Sequence, residues 1–228
     1  MSSSGPMAAG VAAVIFDLDG VLVDSEGLWA GARRQVAERM GRRWPPGADE
    51  ALMGMSSPEW AAYMCDEVGV DEEPTAIIGE VVDAVLAAYR DHLPLLPGAL
   101  DAVSRLASRW PLGLASSSNR PVIDAVLSAS GLGSYFAVTV SSEEVARGKP
   151  APDVYLAAAA GLNVDPVLCV AVEDSANGFR SAKAAGMAVV AVVGPASRPD
   201  PAALSLAGVR IESLAALTVE LVASLRHC

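Results

Sequence analysis

The sequence predicts an α/β fold, a doubly wound parallel sheet with an all-helical domain inserted after its first strand. Five short apolar runs are typical of strands that are buried on both faces. They lie at 11–16, 111–115, 136–140, 167–172 and 188–193. Helical patterns separate the later runs, and this alternation is typical of parallel sheets. The interval between the first two runs far exceeds the roughly 30 residues of one βαβ unit, which indicates an insertion.

Helices are predicted after the second, third and fourth apolar runs. They lie at 121–130, 152–160 and 175–185. A glycine follows each of them, as is common just past the last turn of a helix. The stripe of Leu214, Leu217, Leu221 and Leu225 predicts a final helix over about 212–226.

The interval after the first strand carries three further apolar stripes at helical spacing. They are Leu28, Ala32, Val36 and Met40; Trp60, Met64 and Val68; and Ile78, Val81, Val85 and Tyr89. A fourth helix then returns the chain to the sheet. Its stripe is Leu100, Val103, Leu106 and Trp110.

These stripes divide the chain into two predicted domains. We predict an inserted helical domain at 28–94 and an α/β core formed by 11–27 and 95–228. Hinges are expected at the two junctions, where glycine and proline occur. Residues 1–10 are small and polar and lack the basic start of a signal peptide, so they are predicted to be a disordered tail.

Composition excludes several classes of protein. The 228 residues are 52% hydrophobic and 19% charged, as in a soluble globular chain. Sixteen basic and 27 acidic residues give a net charge of −11, which excludes non-specific binding of nucleic acid. No apolar run approaches the roughly 20 residues of a membrane span. Three scattered cysteines without a Cys-x-x-Cys pair indicate reduced thiols. We expect a cytoplasmic protein that is a monomer or a weak homodimer.

The first apolar run ends in two carboxylates, Asp17 and Asp19, followed by Gly20. In extended backbone alternate side chains point the same way, so the two carboxylates share one face. Like charges at the end of a buried strand require a cation or a perturbed pKa. A simple strand-to-turn ending is the competing interpretation, since Asp-Gly is a common turn pair. An EF-hand loop is excluded because it needs glycine at its sixth position, and here glycine comes fourth.

Polar groups also follow the later predicted strands. In an open parallel sheet, ligands bind beyond the carboxyl ends of the strands. The groups expected there are Asp17 and Asp19; Ser116, Ser117 and Asn119; Lys149; and Glu173 and Asp174. Up to four carboxylates around one spot suit Mg²⁺. Considered one at a time, the same residues also suit helix caps or surface loops.

This set of groups has the chemistry of phosphoryl transfer. An aspartate can attack phosphorus to give an acyl-phosphate. A second carboxylate can then protonate the leaving alkoxide and later deprotonate the attacking water. Lys149, one of only two lysines in the chain, and the Ser116 hydroxyl can supply positive charge and a hydrogen bond to the transferring oxygens.

The string Phe-Asp-Leu-Asp-Gly-Val-Leu-Val-Asp-Ser-Glu at 16–26 resembles the first motif of the haloacid dehalogenase-like (HAD) hydrolases. The likeness is to the subgroup of β-phosphoglucomutases and sugar-phosphate phosphatases. The other three HAD motifs follow in order, and the long interval matches the helical cap of that family. The resemblance implies a Rossmann-like core, a small phosphorylated metabolite as substrate, and a Mg²⁺ cofactor.

The resemblance also implies a role for each candidate residue. Asp17 is the nucleophile and Asp19 the general acid and base. Mg²⁺ is held by Asp17, the Asp19 carbonyl and Asp174, with Glu173 bound directly or through water. The residues that surround the phosphate or substrate are Gly20, Ser116, Ser117, Asn119 and Lys149.

Departures from the family favour hydrolysis over phosphate transfer between two positions of a sugar. The mutases carry a histidine where this chain has Trp29, and a cap arginine where it has Ser57. The span 20–97 contains no lysine, although the mutases use a cap lysine. We therefore predict a Mg²⁺-dependent phosphatase of small sugar or polyol monophosphates. A sugar phosphomutase and a non-catalytic regulatory protein on the same scaffold are the alternatives.

Overall fold

A computed structural model describes residues 10–52, 55–194 and 200–225. Six strands form one parallel sheet. They are β1 Ala13–Phe16, β2 Leu112–Ser116, β3 Phe136–Ser141, β4 Cys169–Glu173, β5 Ala188–Val192 and β6 Val209–Ile211. Their order in the sheet is β3-β2-β1-β4-β5-β6. The predicted fold class and the five predicted strands are therefore confirmed, and β6 is an additional strand.

Helices cover both faces of the sheet. In chain order they are α1 Glu26–Arg39, α2 Ala48–Leu52, α3 Ser57–Asp66, α4 Pro74–Asp91, α5 Ala99–Ala107, α6 Arg120–Ser130, α7 Asp153–Gly161, α8 Ala176–Ala184, α9 Pro201–Leu204 and α10 Val219–Ser224. Because successive strand residues face opposite sides, Val14 and Phe16 pack with α5 and α6, whereas Ala13 and Ile15 pack with α7 and α8. Burial on both faces explains why the central strands are continuous apolar runs.

The insertion between β1 and β2 consists of α1 to α4. Helix α4 packs against α1 and α3, and it also touches α6 of the sheet domain. The chain enters and leaves the insertion through two adjacent segments. Asp24 N donates to Pro94 O at 2.8 Å, and Leu96 N donates to Leu22 O at 2.9 Å. The residue boundaries of two separate domains stay a prediction.

The prediction of a final helix over 212–226 is wrong. The strand β6 comes first, a 3₁₀ turn follows at Leu214–Ala216, and α10 spans only Val219–Ser224. The Leu217 carbonyl accepts a hydrogen bond from Arg105 Nη1 at 2.8 Å instead of continuing a helix. The Thr218 hydroxyl accepts from Leu221 N at 3.1 Å and begins a new helix. The leucine spacing that predicted one long helix is therefore divided between a turn and a short capped helix.

In two of the predicted apolar stripes the first residue is not fully buried, whereas the other three residues of each stripe are. On α5 the buried face includes Ala99 and Ala102, and Leu100 is 46% exposed. On α4 Ile77 is buried, whereas Ile78 is only partly so. Neighbouring apolar residues both fit a 3.6-residue period, so the pattern alone did not fix which one faces inward.

Part of the sequence-based prediction lies outside the described residues. This holds for the tail at 1–9, for Gly54 in the Gly-x-Ser segment of the insertion, and for the last three residues. Gly10 is exposed. Within the described ranges, no helix combines the length and the apolar character needed to cross a membrane.

Candidate active site

The candidate site lies at the carboxyl ends of β1, β2 and β4. Asp17 N donates to Val172 O at 2.9 Å, which extends the β1–β4 pairing by one residue and places Asp17 beside the end of β4. Ser116 is the last residue of β2, and Glu173 is the last residue of β4. The parallel topology therefore brings together residues that are far apart in the chain.

Lys149 connects two of the predicted carboxylates. Its Nζ lies 2.9 Å from Asp17 Oδ1 and 2.6 Å from Glu173 Oε1, and the residue is 3% exposed. Burial alone would lower the pKa of Lys149, but the charges of Asp17 and Glu173 raise it above its usual value. Lys149 is therefore a permanent cation in a site from which water is largely excluded.

Glu173 has both carboxylate oxygens occupied. Oε1 accepts from Lys149 and from the Tyr155 hydroxyl at 3.1 Å. Oε2 accepts from Asp174 N at 2.9 Å, and from Ser175 N at 3.0 Å and Ser175 Oγ at 3.1 Å. A carboxylate held in this way is a rigid anchor for Lys149.

The space for the Glu173 carboxylate comes from a glycine in α8. A Cβ on Gly178 would lie 1.7 Å from Glu173 Oε1, so only glycine fits at this helical position. Sequence reasoning missed both Gly178 and Tyr155. The signal was weak, since a glycine within the first turns of a helix usually indicates only reduced helix propensity.

Three carboxylates form a cluster that can hold a metal ion. Asp17, Glu173 and Asp174 each have an oxygen within 4.8 Å of the others. Burial raises the pKa of Asp17 to about 7; Lys149 opposes the shift, and the Glu173 and Asp19 charges add to it. Burial, Glu173 and Asp17 raise the pKa of Asp174 as well.

The donor set of this cluster fits a hard divalent cation. Asp17 Oδ1 is buried and forms an ion pair with Lys149, but it receives no hydrogen bond of normal geometry. Three carboxylates face a single lysine, so the cluster has an excess of negative charge. All of its ligand atoms are oxygens, which are the ligands that Mg²⁺ prefers.

Gly20 makes the approach of Asp174 possible. Its φ is +73°, in the left-handed region, and a Cβ there would lie 1.9 Å from Asp174 Oδ2. The structure therefore places Gly20 against the acidic cluster. Its predicted contact with the phosphate or substrate stays a prediction.

Asp19 is held by four donors from two segments of the chain, 25–29 and 116–118. Oδ1 accepts from Ser25 Oγ at 2.5 Å and from Trp29 Nε1 at 3.2 Å. Oδ2 accepts from Ser118 Oγ at 2.6 Å, with Ser116 Oγ at 3.5 Å. Its side chain is not part of the cluster of Asp17, Glu173 and Asp174, so any contribution of Asp19 to a metal site rests on its backbone carbonyl.

The serine run after β2 differs from the prediction in one respect. Ser118, which was not singled out, donates to Asp19, and its backbone N donates to Ser116 Oγ at 3.0 Å. Ser117 is half-buried, and its side chain has no hydrogen-bond partner among the described residues. Alternation beyond a strand end places Ser116 and Ser118 on one side, and this rule could have identified Ser118.

Asn119 lies between the sheet domain and the insertion. It precedes α6, and its Oδ1 accepts from Ser57 Oγ of α3 at 3.0 Å. Its Nδ2 donates to Glu143. The structure thus gives Asn119 a contact with the insertion, and its predicted contact with phosphate stays a prediction.

Comparisons with known proteins agree with this arrangement. A family model described as haloacid dehalogenase-like hydrolase matches residues 11–186. Hexitol phosphatase B of Escherichia coli K12 is 35% identical over 92% of this chain and 96% of its own length. Fructose-1-phosphate phosphatase YqaB of the same strain is 34% identical over 79% of this chain and 96% of its own length.

Solved structures show the same fold. The β-phosphoglucomutase of Clostridium difficile matches with a TM-score of 0.81 and 25% identity, over 93% of this chain and 95% of that chain. CbbY of Rhodobacter sphaeroides, solved in complex with phosphate, matches with a TM-score of 0.82 and 25% identity, over 94% of this chain and 100% of that chain.

Proposed function

The chain belongs to the haloacid dehalogenase-like hydrolases, and we propose that it hydrolyses the phosphate monoesters of small sugars or polyols. The observation that carries this proposal is the contrast between two neighbouring carboxylates. Asp17 is paired with a buried lysine at the acidic cluster, whereas Asp19 is surrounded by hydroxyl and indole donors. Two carboxylates in such different surroundings suit two different catalytic roles.

In the proposed first step, a carboxylate oxygen of Asp17 attacks phosphorus and the bond from phosphorus to the sugar oxygen breaks. Asp19 gives its proton to the departing alkoxide. Lys149 balances charge on the phosphate oxygens, and Ser116 is placed to donate a hydrogen bond to one of them. The product alcohol leaves, and Asp17 carries the phosphate as an acyl-phosphate.

In the second step, Asp19 removes a proton from water, which attacks the acyl-phosphate. Inorganic phosphate leaves and the Asp17 carboxylate is restored. The hydroxyl hydrogens of Ser25 and Ser118 can rotate, so the surroundings of Asp19 accommodate both of its protonation states. This property suits a group that must donate a proton and then take one back.

The acidic cluster supports Mg²⁺ as the cofactor. Asp17, Asp174 and the Asp19 carbonyl would hold the ion, and Glu173 would reach it only through water because its oxygens are occupied. When bound, Mg²⁺ would neutralise charge between the nucleophile and the phosphate.

A sugar phosphomutase is the second candidate, favoured by the structural match to a β-phosphoglucomutase. Two contacts count against it. The Ser57 hydroxyl, at the position of the mutase arginine, is bound to Asn119. Trp29, at the position of the mutase histidine, donates an indole N–H to Asp19 and cannot exchange a proton as histidine does.

The test is release of inorganic phosphate from a panel of sugar and polyol monophosphates. We expect release with Mg²⁺, none with EDTA, and none in Asp17→Asn. Asp101→Asn, which changes an exposed aspartate of α5 in the same way, should retain activity. Turnover that persists in Asp17→Asn would refute the assigned nucleophile. Conversion of β-glucose 1-phosphate to glucose 6-phosphate without phosphate release would establish the mutase instead.

A further inference from the structure

Buried polar atoms without a hydrogen bond are rare in the described part of the chain. They are Asp17 Oδ1, Arg33 Nε, the Tyr89 hydroxyl and Ser142 Oγ. Such groups cost free energy unless a ligand or water satisfies them. Arg33 is the only cation among them, and the proposed mechanism does not use it.

Arg33 lies on the face of α1 that reaches the active site. It follows Trp29 by four residues, so the two side chains project from the same face one helical turn apart. Trp29 Nε1 contacts Asp19 at 3.2 Å, and the Trp29 ring lies 6.5 Å from that of Trp60 on α3. One turn is about 5.4 Å, which matches the span of a few carbon atoms in a sugar chain. Arg33 is therefore placed for the end of a substrate that is remote from Asp19.

No acidic group of the described chain neutralises Arg33. The carboxylates of Asp49 and Glu26 act on the pKa of Arg33, but neither forms an ion pair with it among the described residues. Asp49 is already bound, since Arg34 Nη2 contacts Oδ2 at 2.6 Å and Trp44 Nε1 contacts Oδ1 at 3.0 Å.

Arg33 is also removed from solvent without losing its charge. The residue is only 7% exposed, and its Nε is fully buried. Burial lowers the pKa of Arg33 to about 10, with Asp49 and Glu26 opposing the shift, so the side chain stays protonated at neutral pH. A buried guanidinium nitrogen without a hydrogen bond is costly in a folded protein, and an anionic ligand bound to Arg33 would offset that cost.

We propose that Arg33 binds an anionic oxygen group of the substrate, either a carboxylate or a second phosphate, at the end opposite the transferred phosphate. A guanidinium can bind either group through two parallel hydrogen bonds. Ser57 on α3 stands where the mutases carry a cap arginine, and Arg33 would supply positive charge from α1. This inference rests on the proposed phosphatase function and narrows its substrates to acidic sugar or polyol phosphates.

Two matched substrate pairs test the proposal and separate the two sources of charge. Glucitol 6-phosphate and 6-phosphogluconate differ by a carboxylate, and fructose 1-phosphate and fructose 1,6-bisphosphate differ by a second phosphate. We expect the acidic member of at least one pair to have a kcat/KM about 10- to 100-fold higher, as for a charged hydrogen bond. Equal or reversed values in both pairs would overturn the proposal and leave the phosphatase function intact.

Variants at position 33 test whether Arg33 causes the preference for the acidic substrate. In Arg33→Gln the ratio of kcat/KM within the preferred pair should fall towards 1, mainly through KM of the acidic substrate, and Arg33→Lys should keep part of it. Arg34→Gln is the matched control, because Arg34 is an exposed neighbour paired with Asp49, and its ratio should equal that of the wild type. A ratio unchanged in Arg33→Gln would overturn the assignment.

A binding measurement separates failure of this inference from failure of the proposed function. In the Asp17→Asn background, 6-phosphogluconate or fructose 1,6-bisphosphate should raise the melting temperature more than the paired compound that lacks the second anionic group. The difference should disappear when Arg33→Gln is added. If no substrate of any kind releases phosphate, the proposed function fails, and this thermal shift still decides whether Arg33 binds the anion. Equal shifts for both members of both pairs would overturn the proposal.

Discussion

Buried polar groups differ in their pairing between the strand ends and the inserted helices. At the strand ends, Lys149 and Glu173 form an ion pair and Glu173 has both oxygens hydrogen-bonded, and even Asp17 Oδ1, which receives no hydrogen bond, is paired with Lys149. In the described part of the insertion, Arg33 Nε and the Tyr89 hydroxyl are buried without a hydrogen-bond partner or an ion pair. The charges at the strand ends are fixed in position before any substrate binds. Charges preorganised in this way can stabilise a transition state. The insertion has buried polar atoms without a protein partner, and the proposal above assigns substrate selection to one of these residues, Arg33.

We expect the largest effect from a substitution at the strand ends. Lys149→Met removes the cation between two buried carboxylates, so we expect phosphate release to fall about 10²- to 10³-fold. The free energy of unfolding should fall by about 3–5 kcal/mol because buried charges lose their partner. Steady-state kinetics and urea denaturation measure the two quantities.

The other lysine of the chain provides the control for this change. Lys183 is exposed on α8, so Lys183→Met should leave both activity and stability close to those of the wild type. A Lys149→Met enzyme with wild-type turnover would show that the strand-end charges are not organised for catalysis.

Two glycines should respond to alanine with opposite signs. Gly178→Ala places a Cβ against the Glu173 carboxylate, so we expect it to cost about 1–3 kcal/mol or more, together with activity. Gly79→Ala in α4 of the insertion meets no atom within 4 Å and should stabilise the helix by about 0.5–1 kcal/mol. Thermal unfolding of the two variants checks the difference, and equal effects would contradict it.

The serine run gives a finer test at the strand ends. Ser118→Ala removes the 2.6 Å hydrogen bond to Asp19, and we expect kcat to fall about 10-fold. Ser117→Ala removes a hydroxyl that has no described side-chain partner and should have little effect on kcat. If Ser117→Ala were the more damaging change, the serine predicted from sequence would contact the substrate directly.

The same substitution, tyrosine to phenylalanine, can be made at one buried tyrosine in each region. Tyr155→Phe loses the hydrogen bond to Glu173 and should cost about 1–2 kcal/mol of unfolding free energy. Tyr89→Phe removes a hydroxyl that lies near Ser25 without the geometry of a hydrogen bond, so stability should be unchanged or rise by about 1 kcal/mol. Chemical denaturation should rank the two variants in this order, and the reverse order would contradict the comparison.

The smallest expected effect is the pH dependence of the metal-free protein. The pKa of Asp17 rises from 3.8 to about 7 on folding, so its proton is bound more tightly in the folded state. The resulting stability is fully present below about pH 4 and is lost as the pH rises through 7. Melting temperatures in EDTA should decline by a few degrees over this range. Mg²⁺ should restore them at pH 8 but hardly change them at pH 5.

The control for this pH dependence is Asp17→Asn, in which the decline should be smaller. A pH profile in EDTA that is identical in Asp17→Asn and the wild type would contradict the assignment of the titration to Asp17.

Sequence reasoning located the strands and their polar ends because both follow from general rules. Strands buried on both faces are apolar throughout, and the topology brings Asp17, Lys149 and Asp174 to one edge. It missed Tyr155 and Gly178, which matter only through their contact with Glu173. Contacts of this kind depend on how α7 and α8 pack on the sheet, and spacing along the chain does not encode them.

Errors were concentrated in short elements. The strand β6 has three residues and lies at the edge of the sheet, so it carries no apolar run to detect. The final helix was predicted from leucine spacing alone, and the Thr218 cap that divides that segment was overlooked. Short edge elements are specified by neighbours in space more than by their own residues.

The paired backbone at the junctions has a consequence for turnover. Val23 bridges Leu95, and the hydrogen bonds of Asp24 and Leu96 join the two crossings into a narrow ribbon. Hydrogen bonds across such a ribbon oppose sliding more than twisting, so we expect α1, which begins two residues after Asp24, to pivot about the ribbon when the insertion moves. A pivot of this kind would withdraw Trp29 from Asp19 and move Arg33 in the same direction. Opening would therefore remove one of the hydrogen bonds that hold Asp19. The same motion would draw Arg33 away from the end of the substrate that it is proposed to bind.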